Sequence, residues 1–499
     1  ALQHIFHQIK EKHPDAILDL NSYMRPSTDW SDGHPLGSLE LEKEDGYFFV
    51  ETFRTHREPS FTAKILRATG TPFAIFRNRT QSFPILGSVP YIEPFSPAVF
   101  GMSAIANGGV PCGNPFGGPI STTKDTIKWT FNQFKKRRDY IDGDTVKYVA
   151  LHYSQQNRDF SPSELPKNTG KTSHGSIGQL YAHGAYEILN RSHLLFDFIL
   201  DEQLNKVKLP QYQVLFLSNS ACLSSEQCDT IRNFVSTGGT LIATHKTSTL
   251  DALGQQRDNF ALADVLGLDY HGTQRDVSNH GVIYVPQDKE MVRDLGHIIC
   301  FEGEESAVSI RSDSEITVLC TKSSLKDASE LSNFSIKKNY DSTEPSVTLN
   351  HFGKGQAIYI GGDVGTAYMQ KPYPPLKRLV SRLVRTVPPP LEFEAPEAIE
   401  VTAAHRSPGE LMVHLINNPT PLLPWQIEDY ETYEEEQRTF FYMPEVNPIH
   451  TISVLFNGFK VKSAGLPLQD CTLTVTGEPQ TIVVPKVELH EVLLVDLEY

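Results

Sequence analysis

The sequence Asp-Gly-Tyr-Phe-Phe-Val-Glu-Thr-Phe at residues 45–53 is a short apolar run, rich in aromatic side chains, with a carboxylate near its end. Its length does not by itself separate a buried strand from a buried helical turn. The flanking Gly46 and Pro59 and the aromatic content favour a strand. In a β/α barrel, catalytic residues converge at the C-terminal ends of the strands. Glu51 is therefore our first candidate catalytic residue.

Outward from this strand, residues 1–144 alternate between helical and extended patterns and contain four candidate strands. Because helices separate the strands, we expect one parallel sheet. A complete TIM-type β/α barrel needs about 250 residues. We therefore predict the C-terminal half of a barrel, whose first four strands are missing from this sequence or supplied by something else. The predicted strands are 16–20, the run ending at Glu51, 72–76 and 99–105; the predicted helices are one ending at His13–Pro14 and those over 36–44, 61–69 and 125–138.

Several polar side chains near these strand ends are candidates for a carbohydrate site. Asp32 is the second candidate catalytic residue, although a loop-closing or capping role is the alternative. Glu51 itself has the alternative of a polar residue at the barrel mouth, or of a salt bridge to Arg54 or Arg57. The candidate substrate-binding residues are Trp30, His56, Arg77, Asn78 and Asn107.

Each of these binding candidates has a structural alternative. Trp30 either stacks on the apolar face of a sugar ring or packs in the core. His56, Arg77 and Asn78 either hydrogen-bond sugar hydroxyls or form ordinary polar surface. Asn107 opens a predicted loop to Gly118 that holds five glycines, and such a backbone can approach a ligand closely.

The remainder of the chain divides at the prolines that follow Val387. Residues 145–388 repeat a strand, helix, Gly-Gly and strand order, which predicts a flavodoxin- or amidotransferase-like doubly wound α/β domain. Residues 389–499 alternate apolar and polar positions in short runs, which predicts a small antiparallel β domain. The expected domains are therefore 1–144, 145–388 and 389–499.

Composition excludes some classes of function. A net charge of −15 and the lack of a Lys/Arg stripe argue against nucleic acid as a partner. No apolar run reaches membrane-spanning length, and the spacing of the six cysteines contains no CxxC or zinc pattern. We expect no metal and no cofactor. Sparse cysteines suit reduced thiols better than a disulfide framework, so we expect a soluble protein, with the cytoplasm slightly favoured over secretion.

The middle and last regions resemble the trimerisation and C-terminal domains of family-42-type β-galactosidases. The resemblance is carried by Gln213–Leu217, Phe234–Leu241 and Gly353–Gly365, together with the domain order. It implies a glycoside hydrolase, or a descendant of one, that assembles as a homotrimer and acts on a carbohydrate. The first region is closer to uncharacterised glycosidase-like barrels that carry the same appendage. In the family the nucleophile lies on the seventh strand and the acid/base on the fourth, whereas Glu51 falls on the sixth predicted strand.

Two functions follow as hypotheses. The first is hydrolysis of a glycosidic bond by paired carboxylates, which stand about 5–5.5 Å apart for retention or about 6.5–9.5 Å for inversion. The alternative is a non-catalytic structural or carbohydrate-binding protein with an incomplete barrel. An amidase reaction at Cys222 and His245 is not expected, because no G-x-C-x-G elbow surrounds Cys222.

Overall fold

The computed structural model describes residues 2–16, 48–51, 57–77, 80–83, 87–90, 95–113, 124–161, 180–274, 281–323, 344–420 and 445–498. Together they form a mixed α/β protein with several sheets. The first region comprises α1 (Leu2–Lys12), β1 (Phe48–Glu51), α2 (Glu58–Thr69), β2 (Phe73–Arg77), β3 (Thr80–Phe83), β4 (Gly87–Pro90), α3 (Phe95–Ala106), β5 (Val110–Gly113) and α4 (Lys124–Arg137).

Three strands of this first region form a parallel sheet in the order β1-β2-β5. The parallel arrangement and the βα alternation predicted for β1, α2, β2 and α4 are confirmed. Helix α2 ends, as predicted, at Gly70, whose left-handed φ of 75° suits a residue without a Cβ. Strand β1 pairs with β2 from Phe48↔Phe73 to Glu51↔Phe76. No closed barrel is present among the described residues.

The prediction of a strand over 99–105 is wrong, because these residues lie inside helix α3. The helix is buried on nearly every side, with Ala98 to Ala106 all inaccessible to solvent. A helix without a polar face shows no amphipathic period, so the pattern alone did not distinguish it from a buried strand. The third strand of the parallel sheet is instead β5, which occupies part of the glycine-rich stretch predicted as a loop. The predicted strand over 16–20 and the predicted helix over 36–44 lie outside the described residues, apart from Ala16.

The middle region is built on a nine-stranded mixed sheet in the order β13-β12-β15-β16-β17-β10-β9-β7-β8. Its parallel half follows the 2-1-3-4-5 order of flavodoxin-like sheets, and antiparallel strands extend the other half. Its elements are β6 (Asp144–Thr145), β7 (Val149–Tyr153), α5 (Gln155–Phe160), α6 (Leu180–Arg191), β8 (Phe196–Leu200), β9 (Val214–Leu217), α7 (Ser225–Ser236), β10 (Thr240–Thr244), α8 (Ala263–Leu266), β11 (Leu268–Gln274), β12 (Gly281–Pro286), α9 (Lys289–Leu295), β13 (Ile299–Glu302), β14 (Glu305–Ile310), β15 (Ile316–Ser323), β16 (Pro345–Phe352), β17 (Gly355–Ile360), α10 (Val364–Gln370) and α11 (Pro374–Val384).

The sequence of this region explains its local structure. Strands β9 and β10 are buried along their whole length, as expected for parallel strands covered on both faces. Helix α7 begins with a capping box, in which the Ser224 hydroxyl accepts from the Gln227 N–H and the Gln227 side chain accepts from the Ser224 N–H.

The last region contains two antiparallel sheets, of six and four strands. The six-stranded sheet has the order β23-β22-β26-β20-β19-β6, so β6 of the middle region pairs with the edge of β19. Its elements are β18 (Leu391–Glu394), β19 (Ile399–Ser407), β20 (Glu410–Asn417), β21 (Ile449–Phe456), β22 (Val461–Leu466), β23 (Cys471–Leu473), β24 (Val475–Thr476), β25 (Gln480–Val487) and β26 (His490–Leu497).

One buried apolar cluster runs through all three regions. Phe61 of α2 makes edge contacts with Tyr186 of α6 and Phe198 of β8, at ring-centroid distances of 5.0 and 5.3 Å. All six cysteines lie in the described residues and none is disulfide-bonded, which confirms the expected free thiols. Among the described helices, none combines the length and apolar character needed to cross a bilayer.

Candidate functional site

The carboxyl edge of the β1-β2-β5 sheet brings two of the predicted site residues together. Glu51 is the last residue of β1 and pairs with Phe76, while Arg77 is the last residue of β2 and pairs with Gly113 of β5. Since the strands are parallel, the backbones of Glu51 and Arg77 lie at the same end of the sheet. The other residues predicted there, Trp30, Asp32, His56 and Asn78, lie outside the described residues.

A buried arginine lies six positions after Glu51 in the sequence. Arg57 is the N-cap of α2 and is 4% exposed. Its guanidinium donates to the backbone carbonyls of Thr420 at 3.1 Å and Asn418 at 3.2 Å, in the last region. It also lies 3.5 Å from a carboxylate oxygen of Glu400. Arg57 therefore fixes the start of α2, six positions after Glu51, against another region of the chain.

Arg57 lies in a buried ionic network that joins the three regions. Glu187 of α6 pairs with Arg191 at 2.9 Å and lies 3.9 Å from Arg57. Asn418 donates to the Glu400 carboxylate at 2.6 Å. Desolvation raises the pKa of Glu400 above its ordinary value, and the Arg57 charge opposes that shift. A buried carboxylate of this kind depends on its cation, because an unpaired charge is costly in a protein interior.

Sequence reasoning missed this network, although two signals point to it. Glu400 interrupts an apolar strand between Ile399 and Val401, and Glu187 lies within a helix whose residues are almost all buried. A carboxylate at a core position predicts a buried cationic partner. The sequence does not say which arginine supplies it, because Arg57 is more than 300 residues from Glu400.

Asn107, a predicted substrate-binding residue, is 1% exposed. Its side-chain amide donates to the Ser60 hydroxyl at 3.2 Å and to the Ser103 carbonyl at 2.8 Å. The bond to Ser60 joins the end of α3 to the first turn of α2, and the bond to Ser103 closes the last turn of α3. The observed contacts of Asn107 are structural, and its role toward a sugar stays a prediction.

The carboxyl edge of the middle sheet holds the residues of the amidase hypothesis. Cys222 is fully buried, and desolvation raises the pKa of its thiol to about 11. His245 instead contacts the Ser306 hydroxyl, with its Nδ1 3.1 Å from that oxygen. A protonated, buried thiol is a poor nucleophile. The geometry therefore agrees with the expectation that no amidase pair is formed.

A second buried chain of polar groups lies at the same edge. Ser220 is 3.0 Å from Nδ1 of His152, and Nε2 of His152 is 3.1 Å from the Asp201 carboxylate. Ser220 and His152 are inaccessible to solvent. Ser220, His152 and Asp201 have the residue types and the bonding order of a catalytic triad. A buried serine has no access to substrate, so it cannot act as a nucleophile. We assign this chain of bonds to the stability of the β7–β9 edge.

Comparison with known proteins agrees with this architecture. Residues 147–379 match the sequence profile of a family described as the Beta-galactosidase trimerisation domain. A curated relative, Beta-galactosidase LacZ of Heyndrickxia coagulans, is 24% identical over 233 residues, which are 47% of this chain and 30% of that protein.

Two solved structures share the fold across nearly the whole chain. Alpha-L-fucosidase isoenzyme 2 from Paenibacillus thiaminolyticus has a TM-score of 0.69 and 17% identity, covering 92% of this chain and 66% of its own. Beta-galactosidase from Bacillus circulans sp. alkalophilus has a TM-score of 0.67 and 14% identity, covering 99% of this chain and 66% of its own. The chain thus spans less than two thirds of the length of each of these relatives.

These matches define the class of the chain as a multi-sheet α/β protein with a glycosidase-type fold and a trimerisation-type middle region. The resemblance to family-42-type β-galactosidases, which the sequence predicted, is confirmed. Within the described residues, no three His, Cys, Asp or Glu side chains are grouped as a metal site requires.

Proposed function

We propose that this chain is a glycoside hydrolase-like protein that cleaves a glycosidic bond with paired carboxylates, in the manner of a β-galactosidase. The observation that carries the proposal is the position of Glu51 at the carboxyl end of a parallel sheet, in a chain whose fold is shared with glycosidases. Active sites of β/α barrels are built at that end of the strands. Its substrate is proposed to be a carbohydrate.

The proposed chemistry needs two carboxyl groups with different tasks. One protonates the leaving oxygen, and the other stabilises or attacks the oxocarbenium-like centre, directly or through water. Glu51 is proposed for one task and Asp32 for the other. Trp30, His56, Arg77, Asn78 and Asn107 are proposed to bind sugar. Because Arg77 ends the strand next to Glu51, it is the binding candidate that the backbone geometry supports best.

The domain layout is proposed as the C-terminal half of a barrel (1–144), an amidotransferase-like domain (145–388) and a β domain (389–499). The three parallel strands in the described part of the first region support the proposed barrel half. The free thiols support a cytoplasmic location.

A Glu51→Gln variant tests the proposal on aryl glycosides. Because Gln keeps the shape but cannot ionise, loss of an acid/base or nucleophilic carboxylate should lower kcat by about 100-fold or more. The matched control is Glu226→Gln, at an exposed position in the first turn of α7, which should leave kcat unchanged. Equal activity of Glu51→Gln and the native chain would remove Glu51 from the mechanism.

A non-catalytic carbohydrate-binding or structural protein is the second candidate. It is favoured by the three-stranded sheet of the first region, which is smaller than a barrel among the described residues. Glycan-array binding without turnover would support this candidate. Robust hydrolysis of any aryl glycoside by this chain would exclude it.

A further inference from the structure

The pair of helices α3 and α4, which strand β5 separates along the chain, packs on the last region through two apolar contacts. Met102, Ile105 and Ala106 cluster with Ile416 of β20. Ala98 and Val99 cluster with Leu489, which precedes β26. Thr402 of β19 adds one hydrogen bond, from its hydroxyl to the Ala106 carbonyl at 2.7 Å. This interface joins the region that carries Glu51 to the C-terminal β domain.

Beside these contacts, three basic side chains form a buried relay. Arg137, at the end of α4, donates through Nε to Nδ1 of His490 at 2.8 Å. Nε2 of His490 lies 2.9 Å from Nδ1 of His414. The two imidazole rings stack at 5.1 Å between centroids with an interplanar angle of 14°. The exposed fractions of Arg137, His490 and His414 are 7%, 3% and 1%.

The guanidinium fixes the direction of every proton in this relay. An arginine can only donate, so Nδ1 of His490 must accept, and the proton of His490 sits on Nε2. That proton is donated to Nδ1 of His414. The proton of His414 then sits on Nε2, a buried atom with no hydrogen-bond partner in the described part of the chain. Both histidines are neutral in this arrangement.

We propose that the Arg137–His490–His414 relay is an acid-sensitive latch, which holds the α3–α4 helix pair on the C-terminal β domain while both histidines are neutral. A proton added to His490 Nδ1 would face the Nε–H of Arg137, and one added to His414 Nδ1 would face the N–H of His490. Either proton replaces a hydrogen bond by two opposed donors. The proposal is independent of the proposed function.

Every charged neighbour of the relay bears on this latch. Arg137 and Arg67 of α2 oppose a positive charge on the imidazoles. The carboxylate of Glu491 in β26 lies near Arg137. It accepts a hydrogen bond from the side-chain amide of Gln469 at 2.6 Å. From α4, Gln133 accepts through its side-chain oxygen from Arg137 at 3.1 Å. Burial raises the pKa of Glu491, which weakens the anion that could offset a protonated histidine.

The pKa directions agree with this geometry. Desolvation lowers the pKa of His414 to about 3 and that of His490 well below its ordinary value. An exposed histidine has a pKa of about 6.5. At mildly acidic pH the two histidines are therefore protonated when the interface is open and neutral when it is closed. Opening therefore becomes more favourable as pH falls below about 6.5, by up to about 100-fold per pH unit for two histidines.

Hydrogen exchange read by mass spectrometry on the full chain tests the latch. Protection factors, corrected for the intrinsic exchange rate at each pH, are compared between pH 7 and pH 5. In the native chain, peptides covering 124–137 should lose at least about 100-fold of protection, while those covering 214–217, 240–244 and 490–497 stay protected, because each of these strands keeps a hydrogen-bonded neighbour on both sides.

The double variant His414→Gln with His490→Gln isolates the titration. A glutamine amide accepts and donates, as the neutral imidazoles do, but it does not titrate in this range. The variant should keep its protection at pH 5 within about threefold of its value at pH 7. The control His450→Gln, at an exposed position of β21, should behave as the native chain. An equal fall in the double variant, or a fall shared by 214–217, would overturn the latch.

If the double variant does not fold, nitrogen NMR of histidine-labelled native protein decides the question. Both histidines should remain neutral at pH 5, with their protons on Nε2, until the α3–α4 helix pair is released. An imidazolium at either position at pH 6 in the closed state would overturn the proposal.

Discussion

At the scale of single residues, Arg57 joins three separate regions of the chain. Its guanidinium reaches two backbone carbonyls and Glu400 in the last region, and it lies near Glu187 in the middle region. A substitution here leaves two buried carboxylates with reduced compensation. Arg191 still neutralises Glu187, so Glu400 is the group most affected.

We predict that Arg57→Ala lowers the free energy of unfolding by about 3 kcal/mol, the cost of leaving a buried charge unpaired. Arg57→Lys should lie between this value and the native one, because an ammonium keeps the charge but not the planar fork of donors. Urea unfolding followed by circular dichroism measures both. The control Arg138→Ala, whose side chain is 69% exposed, should change stability by less than about 0.5 kcal/mol. A loss for Arg57→Ala no greater than that of the control would contradict the assignment.

The thiol of Cys222 is the residue on which an amidase reaction would depend. Since it is buried and its pKa is raised to about 11, we predict that it does not react with a thiol-specific disulfide reagent at pH 8 in the folded chain. The exposed Cys471 should react first, and Cys471→Ser should abolish the fast phase. Rapid labelling of Cys222, identified by peptide mapping, would restore the amidase hypothesis.

At the scale of elements, the pattern of the sequence indicates only part of the strands and helices of the middle and last regions. Among those it indicates are β10 (Thr240–Thr244), an apolar run after Gly238–Gly239, and β26 (His490–Leu497), a run rich in Val and Leu near the end of the chain. Helix α7 was predictable because Ser224 and Gln227 form its cap. Helix α3 was not, since its uniform burial removes the periodicity on which prediction depends. The antiparallel strands between β11 and β16 carry no signal that separates them from a continued parallel sheet.

Helices α6 and α10 cross at a contact that only glycine permits. A Cβ on Gly184 would stand 1.8 Å from the backbone oxygen of Gly365. Alanine usually stabilises a helix over glycine by about 1 kcal/mol. The sign of the change in stability therefore distinguishes this helix preference from the steric clash. We predict that Gly184→Ala destabilises the chain by about 2 kcal/mol or more, because the backbone must shift. The control Gly458→Ala, whose Cβ would stand 3.4 Å from Pro390, should be near neutral in the same thermal melts. A stabilised Gly184→Ala chain would contradict the close contact.

At the scale of the whole molecule, the match of residues 147–379 to a trimerisation domain bears on assembly. We predict a homotrimer, and analytical ultracentrifugation at micromolar concentration should give one species of three subunits. A monomer that persists as concentration rises tenfold would contradict this prediction. The measurement is independent of catalysis, so it separates the assembly proposal from the proposed hydrolysis.

The candidate site was predictable only in part, for reasons that also lie at this scale. The run at 48–51 and its position before a helix indicate that Glu51 ends a strand, and the register with β2 agrees. The network of Arg57, Glu187 and Glu400 was not predictable, because it joins groups from three regions far apart in sequence. Pairing across such distances is decided by packing, which a local pattern does not encode.

The two-residue strand β6 determines how this chain can be divided for expression. Asp144 and Thr145 occupy the open side of β19, opposite His405 and Ala404, although the proposed domain boundary falls between these two residues. A fragment starting at residue 146 would leave the outer edge of β19 without a paired strand. Exposed strand edges pair with other molecules and cause aggregation. Gene fragments meant to isolate the two later regions should therefore start upstream of Asp144, and fragments of the last region alone need that short peptide supplied in trans.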